Sequence, residues 1–79
     1  MKMEEIAGKL IEFGMDFQYE NWGNEGEKIT SFSASIEVTI QNGEVYFEYC
    51  GDVTTINLST DSINTVLNLL NEACINETT

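Results

Sequence analysis

Asn42-Gly43 is the feature that most narrows what this chain can become. A two-residue β-hairpin turn of type I′ needs positive φ at both central residues, and Asn-Gly meets that demand at low cost. The turn fixes a register in which Gln41 stands opposite Glu44, Ile40 opposite Val45, Val38 opposite Phe47 and Ile36 opposite Tyr49. Each core-side residue then meets another, and a one-residue slip would send the whole set to the wrong face.

The alternation extends backwards. Phe32, Ala34, Ile36, Val38 and Ile40 face one way, and Ser31, Ser33, Ser35, Glu37, Thr39 and Gln41 the other, which predicts one strand over Ser31–Gln41. Forwards, Gly51-Asp52 fits a second tight turn of Gly-X type II′. That turn would pair Tyr49 with Thr54, Phe47 with Ile56 and Val45 with Leu58 on the same face. A shorter strand over Met15–Trp22, with Asp16, Gln18 and Glu20 on its polar side, precedes a loop at Gly23–Glu27. The expected sheet is a four-stranded antiparallel meander.

Helical periodicity flanks it. Met3, Ile6, Ala7, Leu10 and Phe13 recur at helical spacing against Glu4, Glu5, Lys9 and Glu12, and Gly14 follows as a C-cap. Ser59-Thr60-Asp61-Ser62 offers N-cap chemistry for a last helix whose apolar stripe is Ile63, Val66, Leu67, Leu70 and Cys74. Its tail, Asn76 to Thr79, is expected to fray. Two helices on one sheet face make a two-layer α+β domain spanning 1–79, in the order α-β-β-β-β-α.

Composition sets limits on chemistry. Hydrophobic residues make up 42% of 79, enough for a globular core. The longest apolar run is too short to span a bilayer, and Met1-Lys2-Met3-Glu4-Glu5 lacks the pattern of a signal peptide. A cytoplasmic protein is the expectation. Asn57-Leu58-Ser59 and Asn76-Glu77-Thr78 therefore match glycosylation acceptors in form only.

There is no histidine, so the commonest catalytic base is missing, and Cys50 has no basic neighbour in sequence to activate its thiol. The reading is a non-enzyme without a cofactor. Zinc lacks a donor set. The segment Glu20–Glu27 could hold Ca²⁺ only outside EF-hand spacing. Cys50 falls on the outer sheet face and Cys74 in the core stripe, so two reduced thiols are expected.

The charge stands out. Fourteen Asp and Glu face three Lys and no Arg, a net charge of −11. The hairpin register sets Glu37 directly against Glu48, a like-charge pair that disfavours a sheet. Asp16, Glu20, Glu44 and Asp52 are expected around it on the outer face, with Trp22 and Tyr46 as the aromatics and no base in relief. One reading is a solvated surface that blocks edge aggregation. The other is a surface that meets a Lys/Arg-rich partner and repels nucleic acid and anionic membranes.

Small size, heavy acidity and this order of elements resemble the small phage-encoded anti-CRISPR inhibitors, particularly acidic DNA mimics. The resemblance covers most of the chain through architecture and charge, and it carries over no individual residue. It implies a protein that occupies the site on a CRISPR effector where DNA would dock. Immunity proteins against basic nuclease toxins share the composition, as do anti-restriction DNA mimics. The alternative class is a plain acidic interaction module, a monomer or a weak homodimer through an edge strand.

Overall fold

The computed structural model describes residues 3–59 and 61–78. Helix α1 (Met3–Glu12) is followed by strands β1 (Gln18–Asn21), β2 (Glu27–Ser31), β3 (Ile36–Gln41), β4 (Glu44–Tyr49) and β5 (Asp52–Asn57), then helix α2 (Ser62–Thr78). The strands form one antiparallel sheet in sequence order, β1-β2-β3-β4-β5. The class is α+β, with five strands where four were expected.

The Asn42-Gly43 turn holds φ values of 54° and 73°, as type I′ requires. The β3–β4 register follows from it, with Val38 opposite Phe47, Glu37 opposite Glu48 and Ile36 opposite Tyr49. Ile36, Val38, Val45 and Phe47 are buried beneath the helices, joined by Ile29 from β2. Helix α1 lies over β2, α2 lies over β4, and the two helices touch. Ile6 and Leu10 of α1 and Val66, Leu70, Ala73 and Cys74 of α2 close the core.

The helix ends follow their chemistry. Gly14 at φ 72° lets its N–H bond to Ile11 O at 2.9 Å, and Met15 N bonds to Leu10 O at 2.8 Å. This is the paired closure of a Schellman C-terminus. At α2 the Ser62 hydroxyl donates to Ser59 O at 2.7 Å and accepts from Ser59 N–H at 3.2 Å. Thr60, part of the expected cap, lies outside the described residues. The helix runs on to Thr78, which corrects the expected fraying over Asn76–Thr78, and Thr79 lies outside the described residues.

The fifth strand comes from a turn that the alternation conceals. Ser31–Gln41 is not one strand, because the chain reverses at Phe32–Ser35, with Ser35 at φ 57° and its N–H on Phe32 O at 3.2 Å. Side-chain oxygens of Ser31 and Asp16 stabilise the reversal by accepting backbone N–H groups where ladder bonds would otherwise run. Ala34 N–H reaches Ser31 Oγ at 3.2 Å, and Ser33 N–H reaches Asp16 Oδ1 at 2.9 Å. Phe32, expected in the core, is 68% exposed at the tip.

The second hairpin turns at Cys50-Gly51, one residue earlier than expected, with φ values of 51° and 90°. Both central residues are left-handed, so the turn is of the I′ kind rather than II′. Cys50 N–H bonds to Ser35 O at 3.2 Å, which ties this turn to the one between β2 and β3. The pairs become Tyr49–Asp52, Phe47–Thr54 and Val45–Ile56. Faces are kept, but Leu58 passes beyond the end of β5 and is exposed, and Asp52 enters the strand. Between β1 and β2, Gly26 at φ 137° crosses the end of β3 so closely that a Cβ would stand 2.2 Å from Ile40 O. Only glycine fits there.

Phe47→Ala should cost about 3–5 kcal/mol in denaturant unfolding, since it empties a buried aromatic site between β3 and β5. Both cysteines are free, Cys50 exposed and Cys74 fully buried, and burial pushes the Cys74 thiol up. Thiol titration of the native protein should therefore modify Cys50 first and Cys74 only on unfolding.

Candidate functional site: the outer face of the sheet

The face turned away from the helices is assembled by the pairing registers. One row across the strands reads Gln18, Thr30, Glu37, Glu48, Val53, and the next reads Glu20, Lys28, Thr39, Tyr46, Thr55. Gln41, Glu44 and Asn57 complete a third. Glu37 and Glu48 stand opposite each other, as the turn chemistry demands.

The pair is not left unrelieved. Lys28, on β2, forms an ion pair with Glu37 on the neighbouring strand. The expectation of no relieving base is corrected: it rested on leaving Lys28 outside any strand. The bond to Glu37 raises the Lys28 pKa above its usual range, and the charges of Glu20 and Glu48 add to the effect. One ammonium thus sits among three carboxylates.

Glu20 accepts a bond from the Trp22 indole Nε1 at 3.2 Å, so Trp22, 37% exposed, borders this face just beyond β1. Tyr46 is half-buried in the centre and donates to Glu44 Oε1 at 3.2 Å, which raises the phenol's pKa. Glu20, Trp22, Glu37, Glu44, Tyr46 and Glu48 therefore share one region.

Two expected members do not join them. Asp16 precedes β1, and its carboxylate accepts from Ser33 Oγ, from Ser33 N–H and, at 3.4 Å, from Ser31 Oγ. It anchors the β2–β3 turn. Those bonds, the Ser33 hydroxyl's first, hold its pKa below the ordinary 3.8. Asp52 stands opposite Tyr49 on the helix side of the sheet and borders a shallow groove with Leu69 and Glu72. Both corrections have one cause, the misplaced strand ends.

In the 20–27 segment, where Ca²⁺ was considered, some of the side-chain oxygens have internal uses. Asn21 Oδ1 accepts from Gly23 N–H at 2.8 Å, and Glu27 accepts from the Tyr19 hydroxyl. Among the described residues no three His, Cys, Asp or Glu side chains converge as metal ligands. No helix among them is long and apolar enough to cross a membrane.

The chain matches no protein-family model, no curated protein and no solved structure.

Two measurements probe this face. Glu48→Gln should raise the melting temperature by about 1–3 °C by removing a like-charge contact. The gain should grow in a Lys28→Gln background, where nothing screens Glu37. For Asp16, a depressed folded pKa means that its contribution to stability is present above 3.8 and lost as pH falls through the lower folded value. Asp16→Asn should accordingly flatten the acid limb of a stability–pH curve below 3.8.

Proposed function

We propose that this protein is a non-catalytic inhibitor that binds a basic, nucleic-acid-binding surface of another protein and blocks it. The observation that carries this reading is the outer sheet face, where strand pairing holds Glu20, Glu37 and Glu48 around one lysine, with Glu44 in the next row. Residues two apart on a strand lie ~6.6 Å apart and cross-strand neighbours ~5 Å. These are spacings at which carboxylates can meet the cations that line a phosphate-binding groove.

Magnitudes support it. The body is 36 Å long, and duplex DNA of that length carries about 21 phosphates. Fourteen acidic residues on this chain approach that density. Only part of the charge is on the sheet, since both helices and the loops carry acids too. The sheet face is distinguished by strand pairing that fixes which acids stand side by side, and by Tyr46 and Trp22 as aromatic anchors of the kind that concentrate interface energy.

The resemblance in charge and architecture to phage-encoded anti-CRISPR DNA mimics supports a CRISPR effector as partner, acting in the cytoplasm of a bacterial host. A nuclease toxin or a restriction enzyme presents the same kind of basic groove.

A second reading draws on β5, which is exposed along nearly its whole length. The tight turn makes Tyr49–Asp52 a hydrogen-bonded pair, so Val53, Thr55 and Asn57 direct their backbone groups away from β4. An edge with Val53-Thr54-Thr55-Ile56 at its centre suits strand addition, including a weak homodimer.

Salt separates the two. Inhibition through a basic groove should be stoichiometric, compete with DNA and weaken steeply as salt rises. Edge pairing between two chains of charge −11 should strengthen as salt screens their repulsion. Reversal of Glu37 and Glu48 to Lys should slow association with the inhibited partner far more than reversal of Glu5 and Glu12 on α1. Equal losses would make the charge a bulk effect, and no loss in either would end the mimicry reading.

A further inference from the structure

The helix side of the sheet is not covered evenly. Helix α1 lies over β2 and leaves the inward face of β1 open beside it. A groove of about 470 Å³ results, lined by Met3, Glu4, Ala7, Phe17, Tyr19, Glu27 and Ile29. Its floor is apolar, from Met3, Ala7, Phe17 and Ile29. Its rim is anionic.

The rim groups converge. Tyr19 and Glu27 belong to the β1–β2 pair, and the Tyr19 hydroxyl donates to the Glu27 carboxylate. The charge of Glu4, on the first turn of α1, also bears on that phenol, whose pKa is raised chiefly by the bond to Glu27. No described lysine answers these two carboxylates. Lys9 pairs with Glu12 at 3.6 Å, and Lys28 pairs with Glu37 through the opposite face of the sheet.

An apolar floor beneath two carboxylates and a phenol is complementary to one class of molecule. We propose that the groove between α1 and the β1–β2 hairpin binds a small organic cation, a protonated primary amine carried on an apolar body. The ammonium would bond to the Glu27 and Glu4 carboxylates, and the body would lie on Met3, Ala7, Phe17 and Ile29. The volume is that of a site for a whole small molecule. The site stands on the face opposite Glu37 and Glu48 and shares no residue with the surface of the proposed function.

The test is titration of the full chain, followed by NMR, with n-hexylamine, hexanoate, hexan-1-ol and methylamine at neutral pH. Hexylamine should give saturable shifts at the Met3, Ala7 and Ile29 methyls and the Tyr19 ring, while hexanoate should give none there. Hexanol and methylamine, each with half of the complementarity, should bind more weakly. Glu27→Gln should weaken hexylamine about tenfold through loss of a charge-assisted bond, with the remaining spectrum unchanged. Equal binding of hexanoate, or shifts confined to Glu37 and Glu48, would overturn the proposal. So would binding that emerges only in Lys2→Ala protein, which would assign the groove to the chain's own N-terminal lysine. Tighter binding of N-acetyl-lysine methylamide than of hexylamine would assign it instead to a lysine of a partner protein.

Discussion

The left-handed pair Asn42-Gly43 is the constraint on which the rest of the sheet depends. It sets which residues of β3 and β4 oppose each other, and with that it decides which side carries apolar groups. The helices can bury only the side this pairing makes apolar. The same pairing sets Glu37 against Glu48 on the reverse, so the core and the acidic face are two consequences of one turn. A fold that kept the hairpin could not separate these two acids without also exposing Phe47.

This is why the centre of the molecule was legible from sequence and its flanks were not. The β3–β4 register follows from two adjacent residues and needs no knowledge of anything distant. The β2–β3 reversal is different. Ser31 to Ser35 alternate with apolar neighbours as a strand would, and the reversal is stabilised by Asp16, 17 residues away from Ser33. Losing that turn hid β2 altogether, and with it the place of Lys28 beside Glu37. The second hairpin was displaced because Cys50 adopts a positive φ that a non-glycine residue seldom takes. Serine density between apolar residues was the available signal for the first of these, and it was outweighed by periodicity.

The acids fall into groups with different work. Asp16 is spent on a turn, Glu12 on Lys9, and Glu37 in part on Lys28. Glu20 and Glu44 each take a bond from an aromatic side chain that is itself available to a partner. Glu4 and Glu27 belong to the groove on the other side. Net charge alone would treat all fourteen as one field, whereas sheet and helix sort them into separate surfaces facing opposite ways.

The meander has a further consequence for how the chain reaches this state. Every strand pairs with its neighbour in sequence, so the sheet is built from short loop closures, and such contacts form fast. Its apolar face, however, is covered by two helices that flank the sheet on either side in sequence and touch each other over it. The contact between α1 and α2 therefore closes nearly the whole chain into one loop, the most non-local step that this topology requires. A molecule from which either helix has come away exposes part of the surface around Val38, Val45 and Phe47, and a net charge of −11 disfavours the close approach of two such molecules.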